Sequence, residues 1–467
     1  MTAQAPLFRR SLHIFRRDLR LFDNTALNQA LSQSKEVLTC FILDPRQVEE
    51  HPYRSTSGLQ FMLTSLKELG AELAQEGGAL QILHGESSQV LTQILKEEKI
   101  EAVFFNRDYT PFSRKRDRAL KELCDQQGVK IFQYGDALLQ EPEAVAKKTG
   151  GPYTVYTPFM KCASQMAVRE PSNLSNGQGH LASFSSARNP EKECAKIPLV
   201  FNDKLLVKGG REEALRILSD LSPYKEFDKV RDFPALRATT CLSAHHKFGT
   251  VSAREVYWKV SKAFGSGHTL IRELFWRDFF THIAFHFPHV FQGAFHPRYD
   301  KIAWENDPEK FSAWCEGRTG FPIVDAGMRE LNATGFMHNR VRMIVASFLV
   351  KDLLIDWRWG ERYFAQKLVD YDPAVNNGNW QWAASTGCDA QPYFRIFNPW
   401  LQQERFDEDA RYIKHWVPEL KSYTPKQLGE LAEKPLRIPG YPVPLVDHAE
   451  QKTRVLRLFE EAGSTKA

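Results

Sequence analysis

The chain has no Cys-x-x-Cys pair, and its seven cysteines (Cys40, Cys124, Cys162, Cys194, Cys241, Cys315 and Cys388) are scattered and odd in number. That excludes a disulfide framework and points to a reduced, cytosolic protein. No apolar run reaches the length of a membrane span, so no membrane partner is expected. Residues 1–10 carry no apolar core of signal-peptide length, so the protein is expected not to be secreted. No Gly-x-Gly-x-x-Gly follows the first strand-like segment and no Walker A pattern occurs, which removes support for a dinucleotide fingerprint or a phosphate loop there. No internal repeat is found. The first half of the chain also lacks tryptophan: all ten lie between Trp258 and Trp416. Two readings stay open: indoles as filler in a larger helical core, or indoles needed for electronics or for stacking on bases.

What is present is ordinary in bulk. The chain has 467 residues, 42% hydrophobic and 25% charged, with a net charge of +5. Such a length suggests two or three domains, and such a charge tolerates a polyanionic partner without requiring one. Short apolar runs at residues 12–15, 37–43, 79–83, 102–105 and 130–134 read as strands, with helical patterns between them, notably at 58–75 and 113–127. Strands separated by helices imply a parallel sheet, a Rossmann-like α/β domain that binds ligands at the carboxyl ends of its strands. Periodicity fades over residues 141–202, and the Ser-, Asn- and Gly-rich stretch 172–188 reads as a surface connector. From about residue 208 the chain is helical, most clearly at 211–221, 252–264, 269–287, 308–316, 322–333 and 338–354. The expected architecture is an α/β domain at 1–140, a long interdomain linker at 141–205 and an all-α domain at 206–467.

Three segments carry chemistry. In 269–287, Glu273, Trp276, Arg277 and Phe280 share one helical face. A carboxylate and a guanidinium in an aromatic stripe are costly to bury unpartnered, unless they form a simple ion pair one turn apart. In 338–350, Asn339, Arg340 and Met343 are expected on a common face and Arg342 on another. Asn and Arg beside a flat apolar neighbour suit a base, and an amphipathic helix end with snorkelling arginines is the alternative. In 368–382, Asp370 and Asp372 bracket Tyr371 before a proline, and Asn376-Asn377-Gly378 suits a tight turn. Trp380 and Trp382 stand two apart and point to opposite sides if helical: one toward a buried cofactor and one toward a substrate cleft, or both into a core. His282, His286 and His289 have metal-like spacing without the other ligands a zinc site needs, so no metal is expected. The basic run Arg114-Lys115-Arg116-Asp117-Arg118 reads as a solvated helix face.

Several motifs resemble those of the cryptochrome/photolyase family. They are Phe15-Arg16-Arg17-Asp18-Leu19-Arg20 with Asp23-Asn24, Arg231-Asp232-Phe233-Pro234, and Thr239-Thr240-Cys241-Leu242-Ser243. Gly335-Phe336-Met337-His338-Asn339-Arg340 and Asn379-Trp380-Gln381-Trp382 join them, and the resemblance spans essentially the whole chain. The nearest branch is the class I cyclobutane pyrimidine dimer photolyases.

The resemblance implies FAD in the helical domain. Thr239, Thr240, Cys241, Leu242 and Ser243 would hold its phosphates. Arg342 and Asp370 would pair beside the ring, Tyr371 and Asp372 would lie near, and Asn376 would face the flavin N5. Arg277 and Asn339 would also touch the cofactor. Phe227 stands near the phosphates where many relatives have Tyr, and Tyr224 is a candidate replacement for that hydroxyl. Trp380, Trp357 and Trp304 match the family's electron relay. Glu273, Trp276, Asn339, Arg340, Met343 and Trp382 match the cleft for a dimer flipped out of the duplex, and the handling of extruded bases by photolyases is a general pattern of such enzymes. Arg277, Phe280, Arg231 and Gln402 would face the DNA. The implied mechanism passes one electron from light-excited reduced FAD to the dimer and back, with Glu273 hydrogen-bonded to the dimer. Thr110 replaces the acidic residue of folate-antenna relatives, and Lys247 resembles deazaflavin-binding variants. The second chromophore is therefore left open between reduced folate, 8-hydroxy-5-deazaflavin and none. The expected protein is a monomeric, cytoplasmic, nucleoid-associated enzyme acting on damaged DNA. A cryptochrome-type photoreceptor is disfavoured by Asn376 and by the lack of a long tail after about Glu450. A (6-4) photolyase is disfavoured by Asn339 where that branch has His, and an unrelated nucleotide ligase has no use for the aligned tryptophans.

Overall fold

Residues 102–106 are all buried, as a strand covered by helices on both faces must be. In the computed structural model, which describes residues 6–175, 179–186, 190–433 and 437–464, this strand lies inside a six-stranded parallel sheet. The strands are β1 Phe8–Phe15, β2 Ser34–Leu43, β3 Leu80–His84, β4 Ala102–Asn106, β5 Lys130–Tyr134 and β6 His180–Ala182. Their order is β3-β2-β1-β4-β5, with β6 on β2. Register pairs His13 with Thr39 on one side and with Phe104 on the other. The order reverses between β1 and β4, so a crevice opens at their carboxyl ends, where Arg16, Arg17 and Asp108 sit.

β1 and β2 begin earlier than their apolar runs, because Phe8 and Ser34 already pair. The connector needs correction: Glu36, Val37 and Leu38 of β2 pair with His180, Leu181 and Ala182, so part of 172–188 is a sixth strand. Leu181 is buried there, and three residues are too few to show alternation. Residues 1–5, 176–178 and 187–189, which fall in the leader and connector readings, lie outside the described residues.

The remaining chain is helical. A buried ion network joins it to the sheet. Arg254, in the helix Ala253–Phe264, donates to Asp23 at 2.9 Å and to Asp136 at 2.7 Å, and Arg20 donates to Asp136 at 2.5 Å. A buried network of this kind defines one relative placement, because any shift strands a charge in an apolar setting.

The segment read as an Asn-Asn-Gly turn is instead the helix Pro373–Ala383. Asp372 caps it by accepting from the N–H groups of Ala374 and Val375, and Pro373 takes the first position, where no N–H is missed. Gly378 serves packing: a Cβ there would lie 2.1 Å from the Phe280 ring, so glycine lets this helix approach the helix Thr269–His286. Gly360 does the same on the other side, where a Cβ would meet the Trp380 ring at 2.2 Å.

Candidate functional site

The close approach of those helices leaves a cavity of about 460 Å³ between them. The helix Thr269–His286 contributes Glu273, Trp276, Arg277 and Phe280, the four residues expected on one face. The helix Asn339–Lys351 contributes Asn339, Arg342 and Met343. Here the expected face is wrong by one residue pair. Arg342 enters the cavity, whereas Arg340 turns to Asp232 at 2.7 Å and lies over the Phe406 ring at 4.4 Å. Helical geometry accounts for it, since positions 339, 342, 343 and 346 share a face and 340 is rotated away. The helix Pro373–Ala383 contributes Asn376, Trp380 and Trp382. Thr239, Thr240, Cys241, Leu242 and Ser243 line one end with Phe227 and Arg231, and Asp370, Tyr371 and Asp372 line another wall. Cys241 takes a left-handed backbone (φ 53), which turns the chain sharply along the cavity.

Several polar groups in this cavity are paired. Arg342 forks onto Asp370 at 3.2 and 2.9 Å and donates to the Met337 carbonyl at 2.7 Å. Arg231 donates to Glu273 at 2.5 Å. Arg277 makes no ion pair with Glu273; it donates to the carbonyls of Ala137 and His246, at 2.5 and 3.2 Å. Asn376 directs both amide hydrogens to Glu361, its carbonyl at 3.1 Å and its carboxyl at 2.9 Å, which leaves the amide oxygen for the cavity. Burial pushes the Glu361 carboxyl up to about 7. Trp276 stacks face to face on Tyr156, ring centroids 3.5 Å apart and planes 5° apart.

Not every expected residue comes to this cavity. Among the described residues, Trp357, Trp304, Arg340, Gln402 and Tyr224 are not in its lining. Trp380 is 2% exposed and touches it, Trp357 is buried in the neighbouring core, and Trp304 is half-buried against Phe459 at 6.0 Å. Gln402 lies on the helix Pro399–Phe406. The hydroxyl absent at Phe227 is therefore not supplied from the cavity wall by Tyr224. His282 and His286 each lie 3.1 Å from the Pro142 carbonyl.

A second cavity of about 520 Å³ opens at the carboxyl ends of the strands. Phe15, Phe41, Phe112 and Phe248 give it aromatic walls, and Arg16, Arg116, Thr110 and Lys247 also line it. Arg114, Lys115 and Arg118 are exposed as expected, but Arg116 is turned into this cavity. Lys247 and Tyr371 line both cavities. The partition is held by Arg17, which donates to the Lys247 carbonyl at 3.0 Å, to Asp108 at 3.1 Å and to Asp372. The cationic neighbourhood, Arg17 foremost, overcomes burial and holds Asp108 well below the usual carboxylate range and Asp372 at about 2. Burial and the charge of Arg17 bring Lys247 down to about 8.

Sequence reasoning missed Tyr156, Glu361, Arg17 and His246. Tyr156 and Arg17 act through partners far away in the chain, Glu361 through Asn376 fifteen residues on, and His246 through its carbonyl to Arg277; none stands in a periodic pattern that marks it.

The donor set of the first cavity fits FAD. Hydroxyls and backbone of 239–243 suit a pyrophosphate, the Arg342–Asp370 pair suits a polar ring edge, and the orphaned His246 Nδ1 is a buried polar atom without a protein partner.

Comparison with known proteins gives a consistent picture. Residues 11–175 match the family model described as DNA photolyase, and 270–461 match the FAD binding domain of DNA photolyase. The deoxyribodipyrimidine photo-lyase of Alkalihalophilus pseudofirmus is 38% identical, covering 96% of this chain and 97% of that protein. That of Escherichia coli is 36% identical over 97% and 98%. An archaeal photolyase from Sulfolobus tokodaii, described as holding two FAD molecules and implying a novel light-harvesting cofactor, superposes with a TM-score of 0.89 at 43% identity, covering 97% of this chain and all of that one. A class III photolyase from Agrobacterium tumefaciens gives 0.90 at 35% identity over 99% of this chain and 100% of its own.

Proposed function

The chain belongs to the DNA photolyase family, and from that footing we propose that it repairs cyclobutane pyrimidine dimers in DNA, driven by light, with the dimer held in the first cavity beside FAD. The observation that carries this reading is the convergence of Glu273, Trp276, Asn339, Met343, Asn376 and Trp382 on one cavity. When bound there, reduced, light-excited FAD would lend the single electron that opens the cyclobutane ring and take it back once both bonds are broken. The protein supplies placement. Thr239 to Ser243 hold the cofactor phosphates, and Arg342 and Asp370 hold its ring edge.

Asn376 is fixed as an acceptor toward the cavity because Glu361 takes both of its amide hydrogens. An acceptor at that point favours a protonated ring nitrogen, the state of a reduced flavin. Trp276 and Trp382 offer aromatic faces to two adjacent pyrimidines. Glu273 hydrogen-bonds the dimer once Arg231, which donates to it in the free protein, turns to the DNA backbone. Arg340, paired with Asp232 of the lining in the free protein, and Gln402 meet the DNA backbone, and such phosphate contacts make binding salt-dependent. Trp380, Trp357 and Trp304 form the route by which electrons from outside reduce the cofactor.

The second cavity, aromatic and cationic, holds an antenna chromophore; its walls suit a flat, anionic ring system. Residues 1–140 serve as the antenna domain, 141–205 as the connector and 206–467 as the catalytic domain. The enzyme works as a monomer in the cytoplasm; no described helix is long and apolar enough to cross a membrane.

The test is recovery of thymine absorbance from a dimer-bearing oligonucleotide, using the reduced protein with and without blue light. Light-dependent recovery, lost in Glu273→Ala and Trp276→Ala, is expected. Bound flavin without recovery would move the assignment to a (6-4) photolyase or to a photoreceptor.

A further inference from the structure

Tyr156 lies outside the cavity, yet it holds three of its walls. It belongs to the short helix Tyr156–Ala163 in the connector between the sheet and the helical half. Its ring is parallel to the Trp276 indole within 5° at 3.5 Å. On a neighbouring position Phe280 stacks with Trp276 at 5.6 Å and 27°, and Phe280 in turn sits against Gly378. The Tyr156 hydroxyl donates to the carbonyl of Arg272 at 2.9 Å, the residue directly before Glu273. Burial pushes its phenol up, so the hydroxyl stays a donor across the working range. Its backbone N–H donates to Asp389 at 2.9 Å, in the segment that follows Trp382 and bonds back to the Trp382 carbonyl through Gln391. One residue thus fixes the plane of one indole, the turn that carries the carboxylate, and the segment behind the second indole.

Aromatic rings prefer offset or edge contacts, and a closely superposed pair survives only where other contacts enforce it. Both polar groups of Tyr156 supply such contacts. An indole on a single wall can tilt, and a tilted indole loses overlap with the pyrimidine that stacks on it. Backing by a fixed ring removes that freedom before the substrate arrives, so less ordering remains to be done on binding.

We propose that Tyr156 is a positioning residue for substrate: it pre-sets the Trp276 plane, and its spacing from Trp382, to accept two adjacent, covalently joined pyrimidines. This rests on the dimer-photolyase reading above and extends it to a residue of the connector.

The test uses the full-length, FAD-loaded protein in the dark. It measures affinity for a thymine-dimer oligonucleotide and for the same oligonucleotide without damage, in wild type, Tyr156→Leu, Tyr156→Phe, Trp276→Ala and the Tyr156→Leu/Trp276→Ala double variant. Tyr156→Leu is expected to weaken dimer binding about three- to tenfold, in the range of an aromatic pair. Undamaged binding and flavin absorbance should stay unchanged. Tyr156→Phe keeps the ring and is expected to recover most of that loss. In the Trp276→Ala background, Tyr156→Leu should cost only a small part of that loss, because most of its influence passes through that indole and the rest through the Arg272 carbonyl. Equal weakening in both backgrounds overturns the proposal, as does loss of flavin and undamaged binding together in Tyr156→Leu, which marks a structural role only. Wild-type affinity in Tyr156→Leu overturns it too. A wild type with no preference for the dimer sinks the photolyase reading and this proposal with it. A wild type that prefers the dimer beside indifferent variants sinks Tyr156 alone.

Discussion

The two cavities share a wall, and the carboxyl groups behind the first cavity's lining behave opposite to those along that shared wall. Behind the first cavity's lining, burial dominates: Glu361, which holds the Asn376 amide, is pushed up to about 7, and Glu330, which holds the His338 N–H, is also raised. Along the partition with the second, the cations centred on Arg17 dominate: Asp372 is held at about 2 and Asp108 lower still. The first cavity has tryptophans in its lining and the second has none. The difference teaches what each can be asked to do. Glu361, pushed up to about 7 behind Asn376, can hold or shift a proton next to the first cavity, and indoles in that lining can pass electrons. The Arg17 pairs with Asp108 and Asp372 stay ionised between about pH 5 and 8, so the partition suits a ligand that is only held.

The largest break in that comparison comes from Arg342→Ala. Asp370 is buried and keeps no other charged partner in the hydrogen-bond set around it. Stranding a buried charge typically costs about 3–5 kcal/mol. The unfolding midpoint in guanidinium should fall accordingly, and purified protein should carry little FAD. Ligand uptake by the second cavity, followed by its own absorbance, should survive in whatever fraction stays folded. Equal loss of both would mean that the cavities are one unit.

Glu361→Gln reads the pH contrast directly. In the folded state Glu361 titrates near 7, above an unfolded value near 4.5. The folded state therefore binds more protons between those values, and stability falls as pH rises through that window. The contribution is intact below about 4.5 and lost above about 7, of order 3 kcal/mol for a fully buried group. Glutamine has no such titration, so the variant should gain on the wild type steadily from pH 4.5 to 7.5 in chemical denaturation. A parallel pair of curves would break the comparison. Asp372 gives the opposite sign: its stabilisation is present above about pH 4 and declines as pH falls toward 2.

How much of this could be read in advance follows from where each residue finds its partner. The Glu273, Trp276, Arg277 and Phe280 face was legible because its partners lie on one helix, with helical spacing. The helical half and the parallel sheet were legible for the same reason. Asn376-Asn377-Gly378 misled because its composition is that of a turn; what makes it helix is the Asp372 cap and the room that Gly378 gives to Phe280, and the second of these is a tertiary fact. Periodicity put Arg340 rather than Arg342 on the Asn339–Met343 face because a three-residue step and a one-residue step were weighed without the partner surface, whereas the family resemblance had paired Arg342 with Asp370. The partition was invisible: Arg17 and Asp372 are 355 residues apart. Tyr156 stood in a stretch without periodicity, and its value lies wholly in the ring it faces.

Gly378→Ala sharpens the contrast at intermediate size. Its Cβ would meet the Phe280 ring at 2.1 Å, so the helices Pro373–Ala383 and Thr269–His286 must part. Overpacking of this kind costs about 1–3 kcal/mol. Because Asn376, Trp380 and Trp382 ride on one of those helices and Trp276 on the other, dimer affinity and flavin content should fall together. Chromophore uptake by the second cavity, which neither Phe280 nor Gly378 lines, should not change.

Phe227→Tyr is the smallest step and the only gain. Phe227 is 6% exposed and lines the end of the first cavity with Thr239 and Thr240. Tyr224 does not reach that lining, so the wall lacks a phenol hydroxyl there. Adding one beside a phosphate offers a hydrogen bond to a charged acceptor, worth about 1.5–3 kcal/mol at best and less if the ring must tilt to make it. Retention of FAD through dilution or mild chaotrope should therefore improve by a few-fold up to about a hundredfold. Repair per absorbed photon should stay where it was, because the added hydroxyl bonds a phosphate and leaves the Arg231–Glu273 pair in place. Tighter FAD with unchanged repair would separate holding from chemistry inside the first cavity, as the partition separates them between the two. Unchanged FAD retention would mean that the phosphates lie away from residue 227, and that the 239–243 turn holds them alone.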